Sequence, residues 1–95
     1  MRVMFTVRGT TEEAQAIKEL FAMRLEAIGK TRIVDVAAIR AGQPGRLKIT
    51  ASMAVPDALA GVIREMFRVD IERGMIEGIE TEDDGYGRQQ SMFDR

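Results

Sequence analysis

With 95 residues, 45% apolar and 31% charged, the chain has the composition of one ordinary globular domain that buries about 60 to 65% of its unfolded surface. It contains no cysteine, histidine, tryptophan or asparagine, which removes thiolate and imidazole chemistry, Ser-His-Asp triads, disulfides and zinc sites of ordinary ligand type. No run of about 18 uncharged apolar residues could span a bilayer, and the first residues reach Arg8 without a signal-peptide core, so a soluble cytoplasmic protein is expected. Any catalysis would have to use carboxylates, Lys, Arg, Tyr86 or hydroxyls, and only a carboxylate-held magnesium or calcium stays open as metal chemistry. The expectation is a chain that is not an enzyme and has no cofactor and no metal.

Val3, Phe5 and Val7 alternate with Arg2, Met4, Thr6 and Arg8, the period of a strand with one buried face. Gly9 ends it, and Thr10 followed by Glu13 is a capping-box signature for a first helix. That helix carries Ala14, Ile17, Phe21, Leu25 and Ile28 as its inner stripe, with Gly29 as its C-terminal cap. Residues 32 to 40 read as a second strand and 46 to 55 as a third, and Gly42-Gln43-Pro44-Gly45 between them predicts an antiparallel hairpin. Pro56 and Asp57 suit the first turn of a second helix running to about Arg73, whose inner stripe is read as Leu59, Val62, Ile63, Met66 and Val69, closed by Gly74. Residues 75 to 82 form an edge strand rich in glutamate, which leaves 1–82 as the domain and 83–95 as a flexible polar tail.

An α+β order of strand-helix-strand-strand-helix-strand, with right-handed crossovers, puts both helices on one face of a four-stranded antiparallel sheet. This topology resembles the ferredoxin-like fold over about residues 2 to 82. The resemblance implies strands one and three at the centre, with Arg2, Met4, Thr6, Arg8, Arg46, Lys48, Thr50 and Ser52 on an open and basic sheet face. Charge is unevenly placed along the chain: nine basic and five acidic side chains lie in residues 1 to 50, five basic and ten acidic in 51 to 95. RNA-recognition modules of the same topology stack bases on aromatics of the two central strands, and here those positions hold none. Asp35 is expected to face Arg32, Arg46 or Lys48 across the hairpin, in preference to acting as an ion-pair member at an interface.

Arg8-Gly9-Thr10 resembles the anion-binding loop of acylphosphatases, which implies an Arg and backbone N–H groups holding a phosphate at a helix N-terminus. Those enzymes also use an asparagine to hold the attacking water, and this chain has none. Glu80, Glu82, Asp83 and Asp84 form a charge run with carboxylates that a hard cation would accept. Surplus apolar surface on helix two, at Phe67 and Ile71, offers a second contact surface, and Met92-Phe93 ends the polar tail.

The expected function is a small interaction or regulatory module that binds another macromolecule, with a protein as the first partner class and no membrane. Its expected contact surfaces are the sheet face (Arg2, Met4, Arg8, Arg46 and Lys48) and the flank of helix two (Phe67 and Ile71). A homodimer is expected, and an accessory or inhibitor protein of a phage or mobile element would be of this kind. The alternatives are a nucleic-acid-binding domain using the basic face and a small anion-binding enzyme with the acylphosphatase-like loop.

Overall fold

The computed structural model describes residues 1–39 and 45–82. Four strands, β1 (Arg2–Arg8), β2 (Thr31–Ala38), β3 (Arg46–Met53) and β4 (Ile76–Glu82), form one antiparallel sheet in the order β2-β3-β1-β4. Met1 extends the centre by exchanging both backbone bonds with Met53, each at 2.8 Å. The expected hairpin is present as the β2–β3 ladder, and its connecting Gly42, Gln43 and Pro44 lie outside the described residues. Gly45, which begins the return strand, has a φ of +106°, a conformation that costs a glycine no Cβ clash. The tail expected over 83–95, with Asp83, Asp84, Met92 and Phe93, also lies outside the described residues.

The helical layer comprises α1 (Ala14–Glu26), α2 (Ala60–Met66) and α3 (Arg68–Glu72), with short 3₁₀ turns at Thr11–Glu13 and Asp57–Leu59 leading into α1 and α2. Glu13 reaches back to the start of α1, where its Oε1 accepts from the Thr10 N–H at 3.1 Å and from the Thr10 hydroxyl at 3.0 Å. Alternation on the two central strands works as the sequence requires: Val3, Phe5, Val7, Leu47, Ile49, Ala51 and Met53 are all buried. Helices meet this face through a cluster of three aromatic rings. Phe5 lies 4.9 Å from both Phe21 and Phe67, and these last two stack 5.2 Å apart, so α1 and the α2–α3 segment pack on the same side of the sheet.

Helix two differs from its expected form in two ways. It is broken at Phe67, whose φ of −101° and ψ of 10° separate α2 from α3. Its buried stripe is Ile63 and Phe67, with Leu59, Ala60 and Met66 partly covered, while Val62 and Val69 are 49% and 48% exposed. Phe67, expected on the outer flank as a partner contact, is instead 0% exposed at the centre of the core; burying the larger ring turns the helix so that Val62 faces out. Ile71 does stay on the surface, at 41% exposure.

The two helix-closing glycines act by different means. Gly74, with φ of +75°, completes a paired-bond cap in which its N–H donates to the Ile71 carbonyl and the Met75 N–H donates to that of Asp70. Gly29 follows α1 without a positive φ, and its small size serves packing, because a Cβ there would run into the Val55 side chain.

Candidate interaction site

Because both helical segments cover one side of the sheet, the described residues leave the other side open, and register fixes what it displays. Arg2 stands opposite Ser52, Met4 opposite Thr50, Thr6 opposite Lys48 and Arg8 opposite Arg46. Met4, Thr6, Thr50 and Ser52 are half-buried at the centre, and Arg2, Arg8, Arg46 and Lys48 are exposed around them. Every sheet-face residue expected from sequence is therefore brought to one surface.

The charge of that surface differs from the uniformly basic face expected. β4 borders it with Glu80 opposite Met4 and Glu82 opposite Arg2. The β1–β4 register shifts between Thr6 and Val7, pairing Thr6 with Gly78 and Val7 with Ile76 and leaving Glu77 as the extra residue of a bulge. Its carboxylate accepts from the Arg46 Nε at 2.9 and 3.0 Å and lies 3.8 Å from the Arg8 Nε. Like charges directly opposed on a sheet repel, so Glu77 stabilises the Arg8–Arg46 pair that register would otherwise leave uncompensated. The Arg46 hydrogen bond is the main reason the Glu77 carboxyl is held below its ordinary range, partial burial opposing it and the Arg46 and Arg8 charges adding to it. The same hydrogen bond, followed by the Glu77 charge, raises the Arg46 guanidinium further above its ordinary value.

On the other border, β2 places Arg32 opposite Ser52, Asp35 opposite Thr50 and Ala37 opposite Lys48. The cross-hairpin ion pair expected of Asp35 is not formed among the described residues, where Asp35 stands opposite the uncharged Thr50. The surface thus has a neutral centre, cations on the inner strands and at Arg32 of β2, and carboxylates on both outer strands.

The strand-to-helix turn at Arg8-Gly9-Thr10 opens on a shallow cleft of about 240 Å³ lined by Thr10, Thr11, Glu12 and Arg46 among others. The groups an anion would need are already engaged: Glu13 takes the Thr10 N–H, and Glu77 takes Arg46 and draws Arg8. Glu12 adds a repelling carboxylate to the wall. No group of three Asp or Glu residues converges to hold a cation among the described residues. None of the described helices is long and apolar enough to cross a membrane.

Two groups with a clear structural task were not singled out in the sequence. Arg24 on α1 donates from Nη2 to the Met66 carbonyl and to Asp70 Oδ2, both at 3.0 Å, and its guanidinium carbon sits 4.1 Å from the centroid of the Phe67 ring. Glu77 was visible only as one of several glutamates. Its neighbour Gly78, unusual inside a strand, was the available sign of a bulge. Comparison with protein-family models, with curated proteins and with solved structures finds no match to this chain.

Proposed function

We propose that the chain is a small non-enzymatic interaction module of ferredoxin-like fold, acting in the cytoplasm as a homodimer, that regulates another protein by binding it through the open face of its sheet. The observation that carries this reading is the distribution of polarity on that face. Met4, Thr6, Thr50 and Ser52 make a neutral, half-buried centre, and charged arms of both signs surround it. A desolvated centre of low charge inside a polar rim is how protein–protein interfaces are built. Met4 adds a flexible thioether that adapts to a partner's shape.

Mixed charge also favours a protein over a nucleic acid. A phosphate backbone laid across the face would meet Glu77, Glu80 and Glu82 as well as the arginines, and among the described residues the face offers its bases no aromatic ring to stack on.

The test is retention of a protein partner on the immobilised chain, compared with Met4→Asp and with the double reversal Arg46→Glu, Lys48→Glu. A partner held by the wild type and released by Met4→Asp, with thermal melts unchanged, supports the reading. Retention that ignores both variants moves the interface off the sheet. A wild type that instead retains single-stranded oligonucleotides, with affinity falling steeply as salt rises, replaces the reading with nucleic-acid binding.

A further inference from the structure

Among the described residues the sheet has two unpaired edges, and they are not alike. β4 carries Glu77, Glu80 and Glu82, so two copies pairing along it would bring like charges together on one face. β2 carries no charge after Asp35: Val36, Ala37, Ala38 and Ile39 follow, with Ala37 and Ala38 exposed and Ile39 44% exposed. This stretch of edge lacks the guarding charges by which exposed strands ordinarily avoid pairing.

Its backbone specifies what would cover it. The Ile39 N–H donates to the Arg46 carbonyl, and the register runs on through Ala37 opposite Lys48 and Asp35 opposite Thr50. In an antiparallel ladder bonded pairs alternate, so Asp35, Ala37 and Ile39 turn their backbone groups to β3, while Val36 and Ala38 turn theirs to the free edge. Two outward donors and two outward acceptors, on residues two positions apart, are the complement of another strand.

We propose that β2 pairs antiparallel with β2 of a second copy about a two-fold axis at Ala37, joining the two sheets into one of eight strands. Val36 of each copy then stands opposite Ala38 of the other and exchanges both backbone bonds with it, four in all. Ala37 meets its own counterpart at the axis as a non-bonded pair, where side chains approach most closely and two alanines meet without a clash. Asp35 falls opposite Ile39 of the other copy. The two Asp35 carboxylates lie on opposite sides of the axis, about 13 Å apart along the strand and beyond the usual screening length.

Opposite charges face across the seam as well. Lys48 lies one strand in from Ala37 and forms no ion pair among the described residues, nor does Asp35, so the pairing brings a cation and a carboxylate, both unpaired, to diagonal positions on the same face of the seam. The register shift between Ile33 and Asp35 marks where the new ladder ends. The inference rests on the dimer element of the proposed function and leaves the sheet face free, so it does not depend on the protein partner.

Sedimentation velocity over a concentration series tests it. The wild type is expected to pass from monomer to a mass twice as large as concentration rises. Ala37→Lys and Ala37→Asp, which each place like charges at the axis, are expected to stay monomeric where the wild type is dimeric, with unchanged melts because Ala37 is exposed. An equimolar mixture of the two variants, which sets opposite charges there, is expected to recover the dimer. Ala38→Pro removes an outward donor without breaking the β2–β3 ladder and is expected to be monomeric too. A wild type that is monomeric throughout, an Ala37→Lys variant that still dimerises, or a mixture that fails to recover the dimer overturns the proposal. Met4→Asp keeps the dimer mass while releasing a sheet-face partner, so failure of one reading is distinguishable from failure of the other.

Discussion

Phe67 is the residue on which the packing turns. It is fully buried, in contact with Phe5 and Phe21, with the Arg24 guanidinium above its ring. Phe67→Ala is expected to cost about 3–5 kcal/mol, read as a fall in the denaturant midpoint, because the cavity left among two other rings cannot collapse. Ile71→Ala, on the exposed flank, is expected to change the midpoint far less. The inward set on β1 and β3 was legible from strict alternation, whereas Phe67 was not. Helix two holds more apolar residues than one sheet face needs, and periodicity alone could not decide which side was buried.

Glu77 poses a different test at the same scale. Its carboxyl is held below the ordinary value of 4.5, first by the Arg46 hydrogen bond, with the charges of Arg46 and Arg8 adding to it. A folded-state value below the unfolded one contributes stability above the unfolded value, and that contribution is lost as pH falls through the folded one. Glu77→Gln is therefore expected to be less stable than the wild type at neutral pH, with the gap closing as the pH is taken below 4.5. Denaturant midpoints across a pH series check this. A gap that persists in acid would mean that the side chain acts through packing and not through its charge.

Among the elements, the break between α2 and α3 has an identifiable partner. Arg24 reaches from α1 to the Met66 carbonyl at the break and to Asp70 on α3, tying the two helical segments to α1 at one point. Arg24→Met keeps the stem over Phe67 but removes both hydrogen bonds, and is expected to cost about 1–2 kcal/mol, measured by chemical denaturation. Repeating the measurement with Asp70→Ala and with the double variant isolates the ion pair from the carbonyl contact. Helix ends were legible where the chain chemistry is local, as with Thr10–Glu13 and Gly74. The break was not, because its partner lies 42 residues away in sequence. Gly29 was placed correctly at a helix end but for a reason only packing reveals, the closeness of Val55.

For the whole molecule, the α+β architecture and the four antiparallel strands followed from periodicity and from the turn chemistry around Gly42 to Gly45, while the central place of β1 and β3 was implied by the resemblance in topology. The charge of the open face did not follow. The bulge at Glu77 and the register shift at Val34 decide which charged side chains reach that face, and neither is written in a two-residue period. Halves of a sequence are not surfaces, and an acidic second half here ends up bordering a basic first half within one sheet.

The pairing of β1 with β4 also sets the order in which the molecule can assemble. Arg2 lies opposite Glu82 and Val7 opposite Ile76, so this ladder joins segments at the two ends of the described chain, while β2 and β3 are near neighbours in sequence. Contacts of such wide separation slow folding, because the loop between them must be closed before they contribute. During synthesis the hairpin can form early, but β1 waits with one side of its backbone unpaired until β4 has been made. In that interval its Val3, Phe5 and Val7 form the stretch most in need of shielding from other nascent chains.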